Sequence, residues 1–143
     1  MMGVDKIAVV TGAAGFIGSH MTDLLIERGY IVRCVDNLSA GRLENLQTNF
    51  NTSKLEFYQY DVTDLNLMQE VCMGAKYVFH FAGIADVVPS IERPLDYAKC
   101  NVLGTINVLE ASRNAGIEKF VYAASSSCYG ITDQVPTDEK VIL

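Results

Sequence analysis

Between Thr11 and Gly18 the chain reads Thr-Gly-Ala-Ala-Gly-Phe-Ile-Gly, three glycines spaced Gly-x-x-Gly-x-x-Gly. Gly12 permits a tight turn, Gly15 removes the Cβ that would keep a pyrophosphate off the backbone, and Gly18 lets a following helix lie close to its strand. The helix start then presents N–H groups and the positive end of its dipole to phosphate. Asp36 stands 18 residues after Gly18. A carboxylate there accepts from both hydroxyls of an adenosine ribose and repels a 2′-phosphate, which favours NAD over NADP. Arg33 and Arg42 keep NADP open as the alternative. A glycine-rich bend by itself is a turn, and Asp36 by itself is a strand-end residue. Together, between a strand and a helix, they make the setting that a dinucleotide site requires.

The elements that must hold these residues follow from apolar periodicity. Strands are predicted at Lys6–Thr11, Tyr30–Val35, Leu55–Tyr60, Tyr77–Phe81 and Lys119–Ala124, as continuous β-branched and aromatic runs. Helices are predicted at Gly15–Arg28, at Asp64–Met73 with Asp61 or Thr63 as N-cap, and from Pro94 to about Asn114, with Gly29, Gly74 and Gly116 as their stops. A short helix is predicted within the polar stretch Asn37–Ser53, and a loop at Gly83–Arg93. Strands buried on both faces and alternating with helices imply an α/β fold: a Rossmann-type, doubly wound parallel sheet of strand order 3-2-1-4-5, with the ligand crevice beside strand 1. Residues 1–143 are expected to form one such domain.

Composition narrows the function classes. With 11 Lys+Arg against 17 Asp+Glu the net charge is −6, which argues against a nucleic-acid or anionic-membrane surface. The longest uncharged run, Ile7–Thr22, carries Gly, Thr, Ser and His, and it is shorter than the about 20 apolar residues of a membrane span. The apolar stretch Ile7–Val10 is too short for a secretory signal. Cys34, Cys72, Cys100 and Cys128 lie 38, 28 and 28 residues apart. That spacing favours buried reduced thiols in a cytoplasmic protein over disulfides or a metal.

Five stretches occur in order: TGAAGFIG at Thr11–Gly18, DNLS at Asp36–Ser39, HFAG at His80–Gly83, NVLGTINV at Asn101–Val108 and SSSCYG at Ser125–Gly130. Together they resemble the extended short-chain dehydrogenase/reductase family, and within it the nucleotide-sugar epimerases of the UDP-glucose and UDP-N-acetylglucosamine 4-epimerase kind. The resemblance implies that Gly12, Ala14, Gly15, Phe16 and Ile17 lie along the pyrophosphate of NAD. It implies that Asp36, Asn37 and Ser39 hold the adenosine ribose and neighbouring phosphate, and that Asp61 and Val62 edge the adenine. Phe81, Ala82 and Gly83 would line the cofactor, with Gly83 standing where the family more often has Ala. Asn101 would face the cofactor from the crossover helix.

The resemblance further implies that Ser125 hydrogen-bonds the reacting sugar hydroxyl, with Ser126, Ser127 and Ser90 as substrate contacts. Around Ser90 the pattern departs: Asp86 replaces a small residue and Pro89 is displaced by one position. His80, inside an apolar strand, is expected to be structural. The implied activity is interconversion of C4 epimers of a nucleotide sugar through a transient 4-keto sugar, by a homodimeric enzyme. The family's proton acceptor is a Tyr in a Tyr-x-x-x-Lys pair, whose Lys makes phenolate available near neutral pH. None of the seven Tyr here has Lys four residues later. The pair is therefore expected beyond Leu143, the chain is expected to be the amino-terminal part of a longer enzyme, and alone it is expected to be inactive. A dehydratase of the same family would need an Asp-Glu pair where Ser126 and Ser127 stand. Family decarboxylases and reductases, and a non-catalytic dinucleotide-binding module, are the remaining alternatives.

Overall fold

The computed structural model describes residues 6–133 and 135–140; the other residues of the expected 1–143 domain lie outside the described ones. Five strands form the sheet: β1 (Ile7–Thr11), β2 (Ile31–Val35), β3 (Leu55–Tyr58), β4 (Tyr77–His80) and β5 (Lys119–Tyr122). Their order is β3-β2-β1-β4-β5, and every neighbouring pair is parallel. The doubly wound sheet expected from the sequence is therefore present.

Alternation along each strand divides the core between the two faces. On one face Ala8, Val10, Val32 and Cys34 pack against Leu25 and Ile26 of α1 (Phe16–Glu27) and against Leu46 of a 3₁₀ segment at Leu43–Asn49. On the other, Val9, Val35 and Val78 pack against Met68 and Val71 of α2 (Leu65–Cys72) and against Val108 and Ala111 of the last long helix. Among the described residues β5 pairs with β4 only and forms one edge, with Val121 and Tyr122 exposed.

Four expectations are corrected. The α2 N-cap is Asp64, whose carboxylate accepts from the backbone N–H groups of Asn66 and Leu67, and not Asp61 or Thr63. The stretch Gly83–Arg93 is not all loop, because Val87–Glu92 forms the short helix α3. The crossover helix has three parts: α4 (Pro94–Tyr97), a π-helical segment (Ala98–Gly104) and α5 (Thr105–Ala115). The thiols of Cys34 and Cys72 are buried, but Cys100 is half-buried and Cys128 exposed; all four are unbridged. Burial pushes the Cys34 thiol up to about 12, which leaves it without thiolate reactivity.

Candidate dinucleotide site

The strand register sets the site. Thr11 pairs with Val35 and with His80, Val35 pairs with Tyr58, and His80 pairs with Tyr122, so all five strands end at one level. The residues that follow these ends converge on the crevice above β1, where this fold places ligands.

The bend after β1 is tightly built. Gly12 has φ +66°, and a Cβ there would lie 2.7 Å from Ala82 N and from the Phe81 carbonyl carbon. A Cβ on Gly18 would lie 2.1 Å from Gly12 O. Gly15 is the N-cap of α1; it offers no side-chain cap, and no acidic residue stands in the first turn. A Cβ on Gly15 would lie 3.2 Å from Gly12 O, a tight contact but a milder one than at Gly12 or Gly18. Phe16 and Ile17 expose their side chains at the helix start. An uncapped helix N-terminus behind a bare backbone bend fits a phosphate.

Asp36 is buried. Its Oδ2 accepts from Ala14 N at 2.9 Å and its Oδ1 from Leu38 N at 2.8 Å, tying the end of β2 to the glycine bend. Ala14 O accepts in turn from Arg42 N and Asn45 Nδ2. Asn37 accepts from Ser39 N at 3.0 Å and donates to Asp61 Oδ2 at 2.9 Å. Burial raises the Asp61 pKa, but hydrogen bonds from the Thr63 backbone and hydroxyl and from Asn37 outweigh it and hold the carboxyl below its ordinary range. Of the two cations that kept NADP open, Arg33 is spent elsewhere: its Nη1 donates to Val71 O and Met73 O at the end of α2.

Two clefts open here. The first is bounded by Gly12, Gly15, Asp36, Asn37, Ser39 and Val62 on one side and by Phe81, Ala82 and Gly83 on the other. The second shares Phe81–Ile84 and continues past Asn101 to Ser125. Ser125 Oγ accepts from Ser127 N at 3.1 Å and begins a 3₁₀ turn, Ser126–Tyr129. Ser126 and Ser127 lie in that turn and not in the lining of either cleft. Ser90 is carried on α3, outside both, with its hydroxyl donated to Val87 O of its own helix. Among the described residues no three His, Cys, Asp or Glu are grouped to hold a metal, and no helix is long and apolar enough to cross a membrane.

Two residues that support the site, Asn107 and Gly104, escaped sequence reasoning. Asn107, buried on α5, donates to Val62 O and Thr63 O and fixes the loop after β3. Gly104 is needed because a Cβ there would fall 2.6 Å from Val62 Cγ2. Asn101 holds the loop after β4 by pairing with Ile84 in both directions: its Oδ1 accepts from Ile84 N at 2.8 Å and its Nδ2 donates to Ile84 O at 2.9 Å. The signal was available in the Asn-x-x-Gly-Thr-x-Asn spacing of Asn101–Asn107.

Fold and site thus define a doubly wound dinucleotide-type domain with its crevice at the carboxyl edge. Residues 8–142 match the model of the NAD dependent epimerase/dehydratase family, and the chain belongs to that family. It is 41% identical over 135 residues to the UDP-glucose 4-epimerase of Mycolicibacterium smegmatis, covering 93% of this chain and 43% of that protein. The UDP-N-acetylglucosamine 4-epimerase of Methanobrevibacter ruminantium, solved with UDP-N-acetylmuramic acid, superposes with a TM-score of 0.85 at 38% identity, covering 95% of this chain and 43% of that one. The UDP-glucose 4-epimerase of Brucella ovis, solved with NAD, gives 0.82 at 32% identity, covering 94% and 40%. The chain therefore spans about two-fifths of the length of the relatives it matches.

Proposed function

We propose that the chain binds NAD across the carboxyl edge of its sheet, and that the intact enzyme interconverts C4 epimers of a UDP-linked hexose through a transient 4-keto sugar. The observation that carries this is the pairing of the uncapped Gly12–Gly15 bend with the Asp36 carboxylate, joined through Ala14 N at 2.9 Å. Gly12, Ala14, Gly15, Phe16 and Ile17 hold the pyrophosphate. Asp36, Asn37 and Ser39 hold the adenosine ribose, while Asp61 and Val62 edge the adenine. Phe81, Ala82, Gly83 and Asn101 shape the continuation toward Ser125, whose hydroxyl orients the sugar hydroxyl that reacts. Ser125 lines the second cleft, which supports its contact with the sugar; Ser126 and Ser127 adjoin it in the same turn and Ser90 stands on α3, and these three are proposed as further sugar contacts. The bound dinucleotide supplies reversible hydride transfer. A homodimer is proposed for the intact enzyme, supported by the exposed Val102, Ile106 and Leu109 along the crossover helix. A cytoplasmic setting is supported by the four unbridged cysteines.

Calorimetric titration with NAD, paired with a turnover assay on UDP-glucose, tests the proposal. Saturable binding without turnover is expected, because no Tyr among these 143 residues is followed by Lys at the fourth position. Turnover by this chain would contradict the assignment of the proton acceptor to that pair.

A second expectation concerns cofactor choice. Asp36→Ser should weaken NAD roughly a hundredfold, the equivalent of about 3 kcal/mol for two charge-assisted hydrogen bonds, and should narrow the preference over NADP. A preference unchanged in parallel titrations of both nucleotides would contradict the role given to the carboxylate.

A further inference from the structure

His80 ends β4, is 1% exposed and lines the second cleft with Thr105. Its Nδ1 lies 2.6 Å from Thr11 Oγ1 and its Nε2 lies 3.0 Å from Thr105 Oγ1. The neighbours decide which nitrogen carries the proton. Thr105 has one hydroxyl proton, and it is donated to Asn101 O at 2.7 Å, since a carbonyl can only accept. Toward His80 the Thr105 oxygen therefore accepts, and Nε2–H donates. Nδ1 is then bare and accepts the Thr11 hydroxyl proton, while Thr11 Oγ1 receives Ala82 N–H at 3.3 Å. The result is a head-to-tail chain from Ala82 through Thr11, His80 and Thr105 to the carbonyl of Asn101. The ring is stacked on Tyr122 at 5.8 Å and tilted against Phe120 at 6.0 Å, and burial alone disfavours its charged form.

The chain ends on the π-helical segment whose Asn101 carboxamide holds Ile84 on both sides. That loop is a wall of the second cleft. With the ribose at Asp36 and the pyrophosphate over Gly12–Gly15, the other half of a dinucleotide extends into this second cleft. We infer that His80, clamped as the neutral Nε2–H tautomer between Thr11 and Thr105, is a positioning residue that sets the second cleft for the non-adenosine half of the dinucleotide. The inference rests on the NAD binding proposed above.

The test compares NAD with ADP, which keeps the adenosine and both phosphates but lacks the second half. In the 143-residue chain, NAD should bind more tightly than ADP. Thr105→Val, which keeps shape and removes the hydroxyl, should weaken NAD about tenfold and leave ADP within about twofold. Thr105→Ser should restore NAD affinity. Equal weakening of both nucleotides, no weakening of either, or no rescue by Ser in a folded variant would overturn the inference while leaving the dinucleotide site intact. A wild-type chain that binds neither nucleotide overturns the site itself and the inference with it. Long-range ¹H–¹⁵N correlation of the His80 ring needs no variant. Protonated Nε2 with bare Nδ1 at neutral pH is expected, and the opposite tautomer or an imidazolium would overturn the inference.

Discussion

Gly18→Ala is expected to destabilise the whole domain and not merely to weaken a ligand. The added Cβ would lie 2.1 Å from Gly12 O and 2.8 Å from Ala13 Cα. Both are backbone atoms in the bend that joins β1 to α1, so neither can swing aside as a side chain would. The helix would have to lift, and its buried residues Thr22, Leu25 and Ile26 would lift with it. Thr22 would also lose its packing beside Cys34, where Oγ1 lies 3.5 Å from Sγ. Overpacking against an unyielding neighbour costs several kcal/mol, roughly 4 here, against the 5–15 kcal/mol of a typical domain. Thermal denaturation followed by circular dichroism should show a midpoint lower by at least roughly 10 °C, or no cooperative transition. A midpoint within about 2 °C of the parent would contradict the close approach described.

Acidification from pH 7 to 4 is expected to weaken the fold through His80. Burial holds this imidazole down to about 4 from its ordinary 6.5. As pH falls through 6.5 the unfolded chain takes up a proton that the folded chain refuses until about 4. Between those values the folded state binds fewer protons, so stability is complete above the upper value and declines toward the lower one. The loss from this group is on the order of 3 kcal/mol. Asp61, held below its ordinary 3.8, acts only at still lower pH: as its carboxylate is protonated, the stability that its Thr63 and Asn37 hydrogen bonds contribute is lost. Urea midpoints at several pH values between 7 and 4 give the slope, and His80→Phe should flatten it. An unchanged slope in that variant would remove His80 as the cause.

Most of the fold was legible because buried parallel strands are continuous apolar runs and glycines mark the helix ends. The strand ends were overrun for a physical reason. Phe81, Ala123 and Ala124 are apolar although they lie beyond the ladder, because they line the clefts. Asp64 could not be chosen over Asp61 by spacing, since both precede α2 and only geometry shows which carboxylate meets the helix N–H groups. The helix α3 has exposed Val87, Val88 and Ile91 and no buried face, so periodicity gave no sign of it. The π-helical segment reads as ordinary helix in sequence; its wide turn accompanies Asn101 reaching Ile84 and Gly104 closing on Val62. The glycine bend and Asp36 were legible because local spacing carries their chemistry. The His80 chain was not, because its partners lie 69 and 25 residues away in sequence.

The most direct measurement is an amide ¹H–¹⁵N titration of the chain with NAD, repeated with Gly15→Val. Gly15 has ordinary extended backbone, and a Cβ there meets Gly12 O at 3.2 Å, a close contact that a shift of a few tenths of an ångström relieves, so this variant should keep a cooperative thermal transition by circular dichroism and yet fill the place of the pyrophosphate. Saturating shifts are expected at the amides of Gly12–Gly18 and Asp36–Ser39 in the parent, and none in the variant. Unmoved amides at that bend in the parent, or equal shifts in Gly15→Val, would contradict the account.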